Sequence, residues 1–185
     1  MKRRDFLRWG AGGVLLGQGG LASGRAWVPD LTSIDIGATG LSAGQWRTLA
    51  AVQTHLFPSE SEAPGAREAN ATAWLQWVLS DPGLPDERRA FFRQGVEQLE
   101  ALTQAGHGQS FEALAEATRE RVLRDHERQG GGPWLREVIH YILEALLSDP
   151  VYGGNPGGIG WRWLAHRPGY RRPGAQQRYF LLADR

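Results

Sequence analysis

The sequence predicts an all-α fold: a compact domain of about five helices with an irregular C-terminal extension rich in glycine and aromatic residues. Three observations carry the prediction. Apolar residues recur every three or four positions through most of residues 41–150. Capping residues or prolines precede these runs, and glycine or proline closes them. The only strand-like alternation, Ile34-Asp35-Ile36, is long enough for a short strand at most.

Taken in order, residues 27–40 read as an extended arm punctuated by Pro29, Gly37 and Gly40. Ser42 followed by Gln45 forms a capping box, with Leu41 placed as a hydrophobic staple. Trp46, Leu49, Val52 and Leu56 then make the stripe of a first helix, which Pro58 ends. A polar loop leads to a second helix expected over about 66–80, carrying Trp74, Leu75, Trp77, Val78 and Leu79. Asp81-Pro82-Gly83 stops it, and Pro85 with Asp86 and Glu87 in the first turn opens a third. Phe92, Val96, Leu99 and Leu102 line that helix, and Gly106 is expected to close it.

Ser110 is placed to cap a fourth helix bearing Phe111, Leu114, Thr118 and Val122. Gly130-Gly131-Gly132 breaks the chain, and Pro133 starts a fifth helix. Its apolar residues (Trp134, Leu135, Val138, Ile139, Ile142, Leu143, Leu146, Leu147) cover much of its circumference, so it is expected at the centre of the domain. After Asp149-Pro150 periodicity is lost, and residues 151–175 are dense in glycine, proline, aromatics and arginine. An irregular stretch of this length in a small domain often serves a function.

The N-terminus has a different character. Lys2, Arg3, Arg4 and Arg8 make it basic, and Arg3-Arg4-Asp5-Phe6-Leu7 precedes a weakly apolar run, Trp9 to Ala22, that holds six glycines. A bilayer-spanning helix needs about 20 apolar residues, and each glycine costs a helix about 1 kcal/mol relative to alanine. The run therefore reads as the core of an export signal rather than an anchor. The arginine pair and low hydrophobicity mark the twin-arginine type, with Arg3, Arg4, Phe6 and Leu7 as targeting residues. Cleavage is expected after Gly24 or Ala26. The resulting division is a signal peptide at 1–26, an arm at 27–40 and a helical domain at 41–185 that includes the irregular segment 151–185. The twin-arginine route carries folded proteins, commonly built around a cofactor.

Without residues 1–26 the chain holds 16 basic and 19 acidic groups, a net charge of −3. No basic surface argues for nucleic acid. The chain has no cysteine, so neither disulfides nor thiol-held iron–sulfur or haem groups are available to it. Eight tryptophans suit both a core and an interface.

Site chemistry is sparse. His55, His107, His126, His140 and His166 show no metal-binding spacing. His140, in the apolar fifth helix, is expected to be a satisfied core residue, and Glu137 with Glu144 a solvated pair. No nucleophile elbow or phosphate loop occurs. Residues 149–161 stand out: Asp-Pro-Val-Tyr-Gly-Gly-Asn-Pro-Gly-Gly-Ile-Gly-Trp. The glycines permit positive φ, Asn155 can bond backbone in a turn, and Tyr152 and Trp161 are large amphipathic anchors. Two readings stay open: a cap folded over the domain's own core, or an aromatic anchor for a partner at Tyr152, Gly153, Gly154, Asn155 and Trp161.

At this point the chain resembles the gluconate 2-dehydrogenase subunit 3 family, the small subunits of membrane-bound sugar and polyol dehydrogenases. The resemblance rests on Arg3-Arg4-Asp5-Phe6-Leu7, on Leu56-Phe57-Pro58 with Pro64-Gly65-Ala66-Arg67-Glu68-Ala69, and on Ser148 to Asn155 with Gly160-Trp161. It implies a non-catalytic accessory subunit without a cofactor of its own. It also implies two partners: a flavoprotein large subunit that holds FAD, with an iron–sulfur cluster in some relatives, and a multihaem cytochrome c subunit that passes electrons to quinone. The small subunit would carry the folded flavoprotein through the twin-arginine translocon and stay bound at the periplasmic side of the membrane. The arginine-rich sequence after Trp161 departs from the family pattern. The competing reading is a stand-alone periplasmic protein that binds a small ligand through its tryptophans.

Overall fold

The computed structural model describes residues 35–169 and Gly174. The targeting residues Arg3, Arg4, Phe6 and Leu7, the expected signal and most of the expected arm lie outside them. The described chain is helical and contains no strand; its one β-bridge joins Glu60 to Ala63.

A 3-10 turn at Ile36–Thr39 opens the described part, so the end of the segment expected to be an extended arm is coiled. Thr39 is fully buried because its hydroxyl accepts from Trp46 Nε1 at 3.0 Å and donates to Ile36 O at 2.6 Å. Helix α1 (Ala43–Leu56) begins with the expected capping box: Ser42 Oγ accepts from Gln45 N, and Gln45 Oε1 accepts from Ser42 N. Helix α2 (Ala71–Ser80) starts five residues later than expected. Ala66–Asn70 instead form turns, and Asn70 stands at φ 62°. The buried Gln53 fixes this junction, donating to Ala71 O and accepting from the Thr72 hydroxyl at 2.7 Å.

Helix α3 (Asp86–His107) runs past Gly106 and ends at Gly108, whose φ of 63° makes it the helix stop. Arg89 ties the α2–α3 loop together by donating to the carbonyls of Leu79, Asp81 and Leu84. Ser110 opens only a 3-10 turn, Phe111–Ala113, and helix α4 (Glu116–His126) follows. Arg119 of α4 reaches back to the carbonyls of Phe111 and Glu112. The glycine break is a single π-turn, Glu127–Gly131, in which only Gly130 leaves helical geometry, at φ 100°.

Helix α5 (Gly132–Leu147) is the central helix, as its sequence predicts. It packs on α2, α1 and α3 and buries Trp134, Leu135, Val138, Tyr141, Ile142, Ala145 and Leu146. Its solvent face is narrow: Pro133, Arg136, His140, Glu144 and Leu147, spaced three and four apart. His140 therefore lies outside, beside Glu144, rather than in the core. The fully buried Phe92, Phe111, Leu49, Leu75 and Leu99 fill the space between the helices. Each such side chain contributes about 1.5–3 kcal/mol by leaving water.

Candidate functional site

After α5, residues 150–163 form short helical turns within the segment expected to be irregular. Two 3-10 turns, Pro150–Tyr152 and Pro156–Gly158, lead into a short helix α6 (Ile159–Trp163). The order has a specific cause. A helix leaves its last carbonyls without intrahelical donors, and this segment supplies donors to the end of α5. Glu144 O accepts from Ser148 N and Ala145 O from the Ser148 hydroxyl. Leu147 O accepts from Trp161 Nε1 at 2.9 Å, and Ser148 O from Asn155 Nδ2 at 2.9 Å.

Asn155 is the keystone. It is fully buried and sits at φ 49°. Its side-chain oxygen accepts from Gly160 N at 2.7 Å, and its backbone N–H donates to Ala69 O at 3.3 Å. Gly154 passes so close to α5 and α2 that a Cβ would stand 2.7 Å from Ala145 O and 2.9 Å from Trp74 Cε3. At Gly160 a Cβ would meet Leu146 O at 2.1 Å. Tyr152 and Trp161 are half-buried, Tyr152 against the main core. Of the five residues expected to bind a partner, Gly154 and Asn155 are thus buried in the domain's own fold. Tyr152, Gly153 and Trp161 keep partly exposed surface.

The other distinctive stretch comes to the same place. Glu68 accepts from Gly65 N and from the Ser59 hydroxyl, closing the loop between α1 and α2. These hydrogen bonds, the one from Ser59 foremost, hold its carboxyl below the ordinary value of 4.5. Ala69 O then accepts from Asn155 N, and Asn70 Nδ2 donates to Gly153 O at 3.0 Å. Stretches about 80 residues apart in sequence form one clasp. Trp163 of α6 completes it edge-on to Phe57, with ring centroids 6.2 Å apart.

An open groove of about 480 Å³ runs beside the clasp, between the Ser59–Pro64 turn and the Ile159, Arg162 and Trp163 side of α6. A second, about 530 Å³, lies between α1, α3 and the Phe111–Ala113 turn. There Arg47 faces Glu112 and the Thr48 hydroxyl lies 2.9 Å from Glu100, while Glu97 of the lining pairs with Arg93 one turn earlier on α3. Sequence reading missed both grooves, because neither follows from local spacing. Among the described residues no group of three or more acidic, histidine or cysteine side chains is placed to hold a metal. No described helix is long and apolar enough to cross a membrane.

One buried histidine also escaped the sequence. His126 lies 3% exposed at the end of α4, its ring edge-on to Trp134 with centroids 5.4 Å apart. Burial pushes its pKa below the ordinary 6.5. Gly131 lies against the imidazole face, where a Cβ would stand 2.2 Å from the ring. The nearest sequence signal was the Gly130-Gly131-Gly132 run itself, of which only Gly130 serves the turn.

These features define a class: a small all-α domain whose most distinctive residues cap its central helix and lock a neighbouring loop. The chain belongs to the gluconate 2-dehydrogenase subunit 3 family, whose model matches residues 43–169, well over half of the chain. The match takes in both halves of the clasp; the Arg3-Arg4 pair lies outside it. Membership places the chain with the small subunits of gluconate 2-dehydrogenase-like complexes. No curated protein and no solved structure matches it.

Proposed function

We propose that this chain is the non-catalytic small subunit and export chaperone of a periplasmic, membrane-associated, FAD-dependent sugar or alcohol dehydrogenase. In this reading it binds the folded flavoprotein in the cytoplasm and carries it through the twin-arginine translocon. It then remains in the complex with the flavoprotein and a multihaem cytochrome c. FAD, haem c and any iron–sulfur cluster reside in those partners. The observation that carries the reading is the family match over residues 43–169 on a chain that begins with Arg3-Arg4-Asp5-Phe6-Leu7. A domain without cysteine has no iron–sulfur cluster of its own to assemble before export, so the signal makes sense as one shared with a cofactor-bearing partner.

The partly exposed Tyr152, Gly153 and Trp161 sit on a rigid helix cap, which suits them to present a fixed surface. The reading predicts that replacing Arg3 and Arg4 together by lysine stops delivery of this chain and of the flavoprotein to the periplasm. Cell fractionation with activity staining checks it. Unchanged delivery of both would overturn the export role.

A further inference from the structure

One buried ionisable side chain bridges a kink. His126 is the last residue of α4 and is 3% exposed. The two groups that enclose its ring lie beyond the π-turn Glu127–Gly131. Trp134, in the first turn of α5, stands edge-on to the imidazole. Gly131 lies so close that a Cβ would stand 2.2 Å from both Cδ2 and Nε2. Trp134 in turn presses on Gly95 of α3, where a Cβ would stand 2.2 Å from its Cδ1. Gly95, Trp134, His126 and Gly131 thus form one packed series across the α4–α5 junction.

Neither His126 Nε2 nor Trp134 Nε1 has a hydrogen-bond partner among the described residues. The packing suits a neutral imidazole, whereas an imidazolium there would be a buried charge with nothing to pair it. No arginine and no carboxylate among the described residues is buried. The charged groups on the surrounding elements are engaged elsewhere or exposed. Asp125 pairs with Arg128, and Glu120 with His55 of α1. Arg88 of α3 pairs with Glu137 of α5. Glu127 of the turn and Arg136 of α5 flank Gly132 and are exposed. Burial is what lowers the His126 pKa from the ordinary 6.5. Solvent is one turn away: Glu127–Gly130 are all exposed, and Gly130, at φ 100°, already departs from helical geometry. A charged ring reaches water by the shortest path if the chain parts here, and the same motion hydrates Trp134 Nε1.

We propose that the α4–α5 junction is a proton-operated hinge: when His126 takes up a proton the π-turn opens and the start of α5 parts from it, while the clasp at the other end of α5 stays closed. The helix has 16 residues, so its ends stand roughly 24 Å apart. The open form is a minor one that grows as pH falls. In the closed form the ring resists protonation, and in the open form it titrates near its ordinary 6.5. Acid therefore favours opening below that value. The hinge is independent of the export role.

Hydrogen exchange on the full chain tests the hinge, with protection corrected for the intrinsic pH dependence of exchange. Between pH 7.5 and 5.5 the protection of residues 128–134 should fall severalfold, and by at most about tenfold for a single proton. Over the same range the amides of Ser148, Asn155 and Gly160, at the clasp, should keep theirs. In His126→Phe, which keeps a ring of similar size and takes no proton, protection at the junction should not change with pH. Equal loss of protection at both ends of α5 would be loosening of the whole fold and would overturn the proposal. So would an undiminished response in His126→Phe, or no response in the unaltered chain. Gly131→Ala gives a second check, since its β-carbon meets the ring. It should lower protection of the junction already at pH 7.5 and leave the clasp protected. Junction protection equal to that of the unaltered chain would contradict the hinge.

Discussion

At the scale of single residues, close approach decides more than chemistry does. Gly160 stands where a Cβ would collide with the carbonyl of Leu146, which belongs to the backbone of the central helix and cannot move aside. Gly106, near the end of α3, has nothing within 4 Å of its Cβ position. Gly160→Ala should therefore cost at least about 2 kcal/mol through strain, while Gly106→Ala should gain about 0.5–1 kcal/mol through helix propensity. Urea unfolding of the two variants checks both signs. His126 gives a pH signature. Burial lowers its pKa in the folded chain below the ordinary 6.5, so the unfolded chain binds this proton more readily. Its contribution to stability is complete above about pH 6.5 and declines as pH falls below that value, until the folded-state pKa is reached. Glu120 and Glu68 also have lowered values, Glu120 through its hydrogen bond with His55 first and Glu68 through Ser59. Their contributions are lost only as pH falls below about 4.5. Unfolding midpoints should thus fall between pH 6.5 and 5, and that decline should be absent in His126→Phe.

At the scale of elements, sequence reading succeeded where a signal was local. The Ser42–Gln45 capping box, the Asp86-Glu87 start of α3 and the apolar run of α5 each lie within a few positions of the structure they specify. It failed where the deciding contact was distant. Ala66 to Asn70 look helical, yet Ala66 N bonds Phe57 O and Asn70 Nδ2 bonds Gly153 O, which hold them in turns. Residues 150–163 show no period, because their order comes from capping the end of α5 and not from repeating apolar contacts. His140 looked like core because its neighbours are apolar, but it lies on the narrow solvent stripe of α5. The site was legible to the same degree: the residues that stand out are those of the clasp, but that Asn155 faces inward could not be read from spacing. The α2–α3 connection offers a test at this scale. Arg89 supplies donors to three carbonyls of one loop. Arg89→Ala should destabilise the fold by about 1.5–3 kcal/mol, and Arg89→Lys, which lacks the planar fork, should restore little of it. Thermal unfolding followed by far-UV circular dichroism gives both values.

At the scale of the whole molecule, a small domain with a capped central helix presents Tyr152 and Trp161 on a fixed edge, next to an acidic groove. Its family places it in a dehydrogenase complex, and in the proposed role the Arg3-Arg4 pair serves the flavoprotein partner as well as this chain. The most direct measurement removes this chain from cells that make the complex and follows flavin-dependent sugar or polyol dehydrogenase activity in the periplasmic and membrane fractions. The account predicts that this activity disappears there, with the flavoprotein left in the cytoplasm, and returns when the intact chain is supplied. Full dehydrogenase activity in the membrane fraction without the chain would contradict it.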